Sequence, residues 1–217
     1  MVEISLTPQV PARPAPVQRR GIERVKAILD AAEVLLGEQG YEAATLGAIG
    51  ERAGIPTASI YHYFPDRYRV DAELLQRYIR EVEKSTTTAL NQVEALTLRE
   101  ACDLVIDAYI ACFRRRPGMA ALWFAAGRSP MLVEIARAYD ESAAERFWRF
   151  LTRRDLIGAD TPQLVVQLAV EAGDRLLDVA FRRSATGDDA TIDEARRLVT
   201  AYLETYAPPA RRRAGKK

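Results

Sequence analysis

The side chains best suited to contacting another molecule lie close together in one short stretch of the chain. Thr57 and Ser59 carry small hydroxyl groups near the start of a predicted helix, where they can approach base edges, and the methyl group of Ala58 can contact thymine. Tyr61 and His62 follow, and both can donate hydrogen bonds to phosphate oxygens. These residue types at this spacing predict contacts with double-stranded DNA.

Two short helices joined by a tight turn are needed to present these side chains. Thr45 is placed to cap a first helix over 46–53, and Gly54 supplies the positive φ angle that the following turn requires. Pro56 then fixes the entry to a second helix over 57–63. Because a longer amphipathic helix precedes them, the pattern predicts a helix-turn-helix, whose second helix enters the major groove.

Two further side chains flank this pattern and could reach the DNA backbone. Asp66 is placed to cap the next helix, which puts Arg67 in its first turn, where a guanidinium group can contact phosphate. Thr45 could contact phosphate in addition to capping its helix. The plain alternatives are a capping role alone for Thr45, and packing or surface roles for Tyr61 and His62.

An ordered set of segments with fixed spacing extends over residues 19–70. Its members are Ile28-Leu29-Asp30-Ala31-Ala32, Gly40-Tyr41, Thr45, Ile49, Ala53-Gly54-Ile55 and Ile60-Tyr61-His62-Tyr63-Phe64-Pro65-Asp66-Arg67. Together they resemble the N-terminal DNA-binding domain of the TetR family of bacterial transcriptional regulators. The resemblance implies a regulator, usually a repressor, that binds a palindromic operator as a homodimer and is released by a small effector.

Five positions depart from the pattern of that family, namely Gly50, Pro56, Ala58, Arg67 and Val70. Gly50 stands where alanine is usual, which lowers the helix propensity of the first short helix by ~1 kcal/mol. Pro56 replaces the usual capping serine, so the geometry at the start of the second short helix is expected to differ.

The whole sequence predicts an all-α protein. Each of the five prolines between residues 20 and 206 falls at a break between helical patterns, and no stretch alternates apolar and polar residues as a strand would. Thr97 with Glu100, and Thr191 with Glu194, have the spacing of capping boxes. The predicted helices are 19–38, 46–53, 57–63, 66–83, 86–95, 98–115, 119–127, 130–154, 162–185 and 191–206.

Four segments are expected along the chain. They are a disordered basic arm over 1–18, a helix-turn-helix DNA-binding domain over 19–65, a larger helical ligand-binding and dimerisation domain over 66–206, and a disordered basic tail over 207–217. The tail holds five basic residues and no acidic residue, although the whole chain has a net charge of only +1. We expect the arm to add affinity for phosphates but little sequence preference.

Bulky aromatic side chains set among small alanines in the larger domain could line a pocket for an apolar or aromatic ligand. The candidate ligand-binding residues are Tyr109, Phe113, Trp123, Phe124, Trp148 and Glu171. For each aromatic residue, a place in the hydrophobic core is the alternative. Glu171 or Asp174 could select a cationic ligand if it faced the pocket, and otherwise it lies toward solvent or a dimer interface.

Dimerisation follows from the small size of the reading helix. One helix of seven residues reads few bases, whereas two copies related by a two-fold axis read half-sites ~34–36 Å apart, one DNA turn. The resemblance implies that the last two long helices of each chain form the dimer interface. We expect an effector to weaken operator binding, with the helix over 66–83 carrying the change.

Several other functions lack the residues that they require. No stretch of ~20 apolar residues is available to cross a membrane, and the absence of an export signal predicts a cytoplasmic protein. One histidine, two cysteines and the absence of a GxxxxGK[ST] loop or a GxSxG elbow predict no metal, no cofactor and no enzyme. The alternatives that stay open are a DNA-binding regulator without a small-molecule trigger, and an all-α enzyme.

Overall fold

The computed structural model describes residues 16–94, 96–125 and 129–208, and in these ranges the chain forms nine α-helices and no strand. The helices are α1 (Pro16–Gln39), α2 (Leu46–Ala53), α3 (Thr57–Ile60), α4 (Arg67–Asn91), α5 (Leu98–Arg115), α6 (Pro117–Trp123), α7 (Pro130–Arg153), α8 (Gln163–Arg183) and α9 (Asp189–Glu204). The all-α prediction is confirmed. None of these helices combines the length and the hydropathy that crossing a membrane demands.

The predicted terminal segments are only partly covered by the described residues. Residues 1–15 of the expected basic arm and 209–217 of the expected basic tail lie outside them. Helix α1 begins at Pro16, three residues before the predicted start, because proline is well suited to the first turn of a helix, where its missing amide is not needed.

Side-chain caps set several of the helix starts. The capping box at α5 is confirmed, since the Thr97 hydroxyl accepts from the Glu100 amide and the Glu100 carboxylate accepts from the Thr97 amide. The predicted box at Thr191 is wrong, because Asp188 caps α9 instead, and its carboxylate accepts a hydrogen bond from the Thr191 amide at 3.0 Å. A carboxylate at the N-cap also interacts favourably with the positive end of the helix dipole.

Helix α4 is one continuous helix of 25 residues, where the sequence predicts two helices over 66–83 and 86–95. The threonines at 86–88 have low helix propensity and favour a break. The Thr86 hydroxyl donates to the Val82 carbonyl oxygen at 2.9 Å, and α4 packs along both α5 and α7. Packing therefore outweighs local propensity, and α4 spans ~37 Å.

One hydrophobic core crosses the predicted domain boundary at residue 65. Ile49 and Ile60 of the first three helices are buried in the same cluster as Leu74 of α4 and Met119 of α6. A second cluster lies at the other end of the molecule and joins the start of α5, the end of α7, α8 and α9. The first three helices are therefore bound to the rest by shared apolar burial rather than by a linker.

Helix α6 makes a very close approach to α1. A Cβ atom at Gly118 would lie 2.3 Å from the Glu33 carbonyl oxygen, so only glycine fits there without a shift of backbone. Next to this contact, Arg116 lies between the carboxylates of Glu33 and Glu81, with N–O distances of 2.6 and 2.8 Å. These contacts form the junction (Gly118, Arg116, Glu33 and Glu81) that fixes α1 against α4 and α6.

Candidate DNA-binding surface and ligand cavity

Helices α2 and α3 are joined by the tight turn that the sequence predicts. The Thr45 hydroxyl accepts a hydrogen bond from the Ala48 amide at 3.2 Å, which confirms Thr45 as the cap of α2. Gly54 ends α2 in the left-handed conformation at φ +63°, as predicted. The Ile55 amide then donates to the Gly50 carbonyl oxygen at 2.9 Å, which closes the turn.

Gly50 allows α3 to pack unusually close to α2. A Cβ atom at this position would lie 2.8 Å from the Ile55 carbonyl oxygen and 2.9 Å from Cδ1 of Ile60. Both distances are shorter than ordinary contacts, so alanine would push the turn and α3 away. Gly50 therefore lowers the helix propensity of α2 but allows the two short helices to pack closely.

Helix α3 is shorter than the predicted 57–63. It begins after Pro56, which makes no side-chain capping bond, and its regular helix ends at Ile60. The chain then continues in tight turns, with the Tyr63 and Phe64 amides both donating to the Ile60 carbonyl oxygen at 2.8 Å. Because Ile60 is fully buried and Phe64 nearly so, this segment is held in place by its apolar side.

Six of the seven predicted DNA-contacting residues lie at the surface of this unit. Thr45, Thr57, Ala58, Tyr61 and His62 are exposed, and Ser59 is partly buried. Tyr61 leaves 55% of its surface accessible, so its ring and hydroxyl group can be reached from solvent. The contacts that these side chains make with DNA remain predictions.

Arg67 is the predicted contact residue that the structure places elsewhere. Its Nε donates to Oδ1 of Asp71 at 3.0 Å, and its guanidinium lies over the Tyr41 ring, 4.3 Å from the centroid. Asp71 is 1% exposed, and a buried carboxylate without a cation is far more costly than a surface arginine without a phosphate. The structure therefore shows an inward ion pair at Arg67, and the phosphate contact from Arg67 stays a prediction.

The Tyr41–Asp71–Arg67 cluster is a structural feature that sequence reasoning missed. The Tyr41 hydroxyl donates to Oδ2 of Asp71 at 2.9 Å, and burial together with the Asp71 charge raises the pKa of Tyr41 to about 12. Burial also raises the pKa of Asp71, while Arg67 opposes that rise. The available signal was the carboxylate four residues after Arg67, one helical turn away.

A cavity of about 370 Å³ lies inside the larger helical part of the chain. Helices α4, α5, α7, α8 and α9 all contribute to its wall, which includes apolar side chains such as Leu90, Val105 and Phe147. Cys102 also lines it, and burial raises the pKa of this thiol to about 11, so the thiol stays protonated and unreactive near neutral pH. The volume and lining suit a small, largely apolar ligand.

Tyr109 is the one predicted ligand-binding residue that lines this cavity. Phe113, Trp123 and Phe124 lie behind the wall in a cluster of aromatic rings, with the Phe113 and Trp123 centroids 5.7 Å apart. Packing of these rings against one another fills the space that a ligand would need.

Trp148 and Glu171 lie away from the cavity for different reasons. The Trp148 indole donates to the Thr161 carbonyl oxygen at 2.8 Å and packs with the second hydrophobic cluster. Glu171 is exposed and accepts a hydrogen bond from Gln167, one turn earlier on α8. Neither these two residues nor the aromatic cluster lines the cavity. A ligand-binding role for them stays a prediction.

Polar groups are grouped on one part of the cavity wall. The hydroxyl oxygens of Tyr109 and Tyr139 lie 2.5 Å apart, and Asp140 and Asp174 line the same cavity. The Trp123 indole donates to Oδ1 of Asp174 at 2.9 Å. Burial, reinforced by the neighbouring carboxylates, raises the pKa of Asp140 to about 7, and burial raises the pKa of Asp174.

Helices α8 and α9 pack along each other and leave leucines exposed. Leu164 and Leu168 of α8 lie one turn apart, and Leu198 belongs to α9; all three are exposed. Apolar side chains of this size on neighbouring helices are suited to burial against another helical surface.

Two family models match the chain and together cover most of the described helices. Residues 28–70 match the model described as bacterial regulatory proteins, tetR family. Residues 97–203 match the model described as tetracyclin repressor-like, C-terminal domain. The first match spans the end of α1, α2, α3 and the first turn of α4, and the second begins at the cap of α5.

Individual proteins are similar over different parts of the chain. The crystal structure of a TetR-family transcriptional regulator from Streptomyces coelicolor is 32% identical, with a TM-score of 0.66, over 84% of this chain and 99% of that one. The HTH-type transcriptional repressor KstR of Mycolicibacterium smegmatis is 34% identical over 31% of this chain and 33% of its own length. The HTH-type transcriptional regulator BetI of Vibrio parahaemolyticus is 22% identical over 83% of this chain and 90% of its own.

Proposed function

The chain belongs to the TetR family of bacterial regulatory proteins and is a DNA-binding transcriptional regulator, and on this premise we propose that it is a ligand-responsive repressor. It binds a palindromic operator as a homodimer and is released by a small, largely apolar or aromatic effector. The observation that carries the proposal is the continuity of α4, which begins beside the helix-turn-helix unit and ends in the wall of the cavity.

The exposed side chains of α3 support direct reading of base edges. Thr57 and Ala58 are exposed at the start of the helix, and Ser59 keeps part of its surface accessible. Tyr61 and His62 follow on the turns after α3, where they can donate to phosphates. Because Arg67 also binds Asp71, we propose the exposed Arg69 as a further phosphate contact from the first turn of α4.

Helix α4 supports a mechanical link between effector and DNA. Its N-terminal turn carries Arg67 and is anchored to the helix-turn-helix unit, and its C-terminal turns contribute Thr86, Leu90 and Asn91 to the cavity wall. An effector that preferred a different position of this end of α4 would therefore also move the other end. Only a difference in affinity between the two positions can shift their populations.

The junction supports transmission of that movement to α1. Arg116 links Glu33 of α1 with Glu81 of α4. Gly118 packs directly against the Glu33 backbone, so α6 and α1 are in close contact. A shift of α4 or α6 would therefore turn the whole three-helix unit, including α3. In a dimer, that turn changes the distance between the two reading helices from the ~34–36 Å that successive half-sites need.

The exposed leucines of α8 and α9 support the homodimer. Leu164, Leu168 and Leu198 would be removed from water if these two helices packed against their copies in a four-helix arrangement. Leu168→Glu should therefore yield a monomer in size-exclusion chromatography with light scattering. Val133→Glu, at another exposed apolar position on α7, is the matched control and should leave the size unchanged.

The experiment that tests the proposal is retention of DNA fragments from around the gene in a gel-shift assay. We expect retention of a fragment with a two-fold symmetric sequence, at concentrations that leave scrambled oligonucleotides free. An equal shift of specific and scrambled DNA would contradict operator recognition. Unchanged operator affinity in the presence of a saturating ligand of the cavity would contradict ligand release while leaving DNA binding in place.

A further inference from the structure

The polar part of the cavity wall carries two carboxylates on facing helices. Asp140 of α7 and Asp174 of α8 both line the cavity and both are partly buried. The hydroxyl groups of Tyr109 and Tyr139 lie in the same wall. The remaining surface of the cavity is largely apolar, so the two acids form a localised negative group in a hydrophobic space.

Among the described residues, no cation forms an ion pair with either carboxylate, although the charge of Arg175 acts on Asp174 from a distance. Within the described ranges, no hydrogen bond or ion pair joins Asp140 to another side chain, and the charges that act on it, from Asp174, Glu171 and Glu141, are all negative. Asp174 accepts one hydrogen bond, from the neutral indole of Trp123. The nearby Arg175 is exposed and pairs with Asp178 instead.

The arginines at the cavity are occupied elsewhere. Arg146 pairs with Glu83 at 3.0 Å, and Arg149 pairs with Glu145 at 2.5 Å. The Arg153 Nε donates to a backbone carbonyl of α7 at 3.1 Å. All three side chains are exposed and none of them pairs with Asp140 or Asp174, although Arg146 lies 5.9 Å from the centroid of the Tyr139 ring.

The charged forms of Asp140 and Asp174 are unfavourable in this arrangement unless a positive charge neutralises them. A charged group that is withdrawn from water is costly unless it is paired, and two carboxylates that face the same cavity also repel each other. Elsewhere in the chain the buried Asp71 is paired with Arg67. A cation that enters the cavity would supply what the protein itself does not supply at Asp140 and Asp174.

We propose that the cavity binds an amphiphilic cation, with a basic or quaternary nitrogen between Asp140 and Asp174 and an apolar or aromatic body against the rest of the wall. The proposal rests on the proposed function, because it names the chemical class of the effector at the same cavity. The Tyr109 ring, which lines the same wall, adds a cation–π attraction to the ionic one. A negatively charged ligand is disfavoured at the same place because it would be repelled by both acids.

Three probes with the same body and different charge test this class. Phenylbutylammonium carries a cation, phenylbutanol is neutral and phenylbutyrate carries an anion, and each can be titrated into the purified protein by calorimetry. We expect phenylbutylammonium to bind at least tenfold more tightly than phenylbutanol, and phenylbutyrate to bind more weakly than both. Equal affinity for the ammonium and the alcohol, tightest binding of the carboxylate, or no binding of the ammonium would each overturn the proposal.

Matched variants locate the effect at the two acids. Asp140→Asn and Asp174→Asn should each lower the preference for the ammonium over the alcohol at least fivefold, and asparagine at 174 keeps an acceptor for Trp123. Glu134→Gln on α7 and Asp193→Asn on α9 remove exposed acids that lie outside the cavity wall, and both should leave the preference unchanged. An equal loss in these two controls would indicate a general charge effect and contradict a specific site.

A DNA-binding assay separates this proposal from the one on which it rests. If the protein retains its operator but shows no preference for the ammonium probe, the effector class is wrong and the regulator stands. If the ammonium binds with the expected preference but no operator is retained, the cavity chemistry stands and the proposed function fails. Circular dichroism and the thermal midpoint of each variant check that it is folded.

Discussion

Asp71, which is buried, and Asp140, which is partly buried, are carboxylates that the molecule neutralises in one case and leaves unpaired in the other. Asp71 lies beneath the helix-turn-helix unit and is neutralised within the chain by Arg67, with Tyr41 donating a further hydrogen bond. Asp140 lines the cavity and has no cation among the described residues. The first arrangement completes a rigid support, whereas the second leaves a charge that a partner from outside can satisfy.

The same contrast holds for the side chains that would contact a partner. In the helix-turn-helix unit they belong to neighbouring residues, from Thr45 to His62, and they point outward from short helices. In the cavity they come from five helices, between Thr86 and Val199, and they point inward. Neighbouring residues of the chain can form a surface for a large and rigid ligand such as DNA, whereas a cavity lined by five helices requires the assembled fold.

The largest effect is expected from removing the cation that supports Asp71. Arg67→Ala leaves that carboxylate buried and unpaired and should lower the free energy of unfolding by ~3 kcal/mol. Chemical denaturation of the variant measures this change. Asp71→Asn introduced into the same variant should recover much of the loss, since no charge then remains buried.

Arg69→Ala is the matched control for that substitution. Its side chain is exposed and lies two residues further along α4, so the stability should change by less than ~0.5 kcal/mol. DNA affinity should instead fall for all sequences alike, with a weaker dependence on salt. If Arg67→Ala behaved in this way and kept full stability, Arg67 would be a phosphate contact after all.

The junction between the two halves gives the next largest effect. Gly118→Ala forces a methyl group against the Glu33 carbonyl oxygen and should destabilise the protein by ~1–3 kcal/mol, with a loss of operator affinity as α1 shifts. Gly21→Ala, in α1 with open space around it, should instead raise stability by ~0.5–1 kcal/mol. Thermal unfolding of both variants compares them, and a neutral Gly118→Ala would show that α6 and α1 are not in fixed contact.

A change at the reading surface should leave stability alone and alter base preference. Ser59→Ala should relax discrimination at particular operator positions by ~1–3 kcal/mol, since a hydroxyl that contacts a base edge is lost. Fluorescence anisotropy with a set of single-base operator variants measures the pattern. Thr88→Ala, at an exposed hydroxyl on α4, serves as the control, and a uniform loss across all sequences in Ser59→Ala would argue against base contact.

The pH dependence of stability reports on the unpaired carboxylate of the cavity. Burial raises the pKa of Asp140 to about 7, so the native state binds its proton more tightly than the unfolded chain does, and stability falls as pH rises from ~4 to ~7. Asp140→Asn removes this loss and should therefore stabilise the protein at pH ~8, with little change at pH ~4. Denaturation at both pH values tests this, and an equal effect at the two would contradict a raised pKa.

Local sequence signals predicted the elements whose geometry is set within a few residues. The cap at Thr45, the left-handed Gly54 and the capping box of Thr97 and Glu100 are all confirmed, because their partners lie within four residues. The break predicted after residue 83 is wrong, because burial of α4 between other helices outweighs the low propensity of its threonines. The box predicted at Thr191 is wrong because Asp188 offered a competing cap three residues earlier.

The residues of the cavity show where sequence reasoning stops. Four residues are predicted from the sequence to bind a ligand because they are aromatic, but they pack into the hydrophobic clusters and do not line the cavity: Phe113, Trp123, Phe124 and Trp148. Asp174 and Glu171 lie three residues apart on α8, but they point in different directions and only Asp174 lines the cavity. A helical wheel gives the relative directions of such residues but not which neighbour each direction meets.

The sequence by itself determined the all-helical architecture, the helix-turn-helix and its family, because these depend on contacts between residues close in the chain. Only the tertiary structure decided that Arg67 turns inward to Asp71, that Gly118 locks α6 against α1, and that Asp140 and Asp174 share one cavity. Each of these depends on which helix faces a given side chain. That is fixed by the packing of the whole bundle, and spacing along the chain does not encode it.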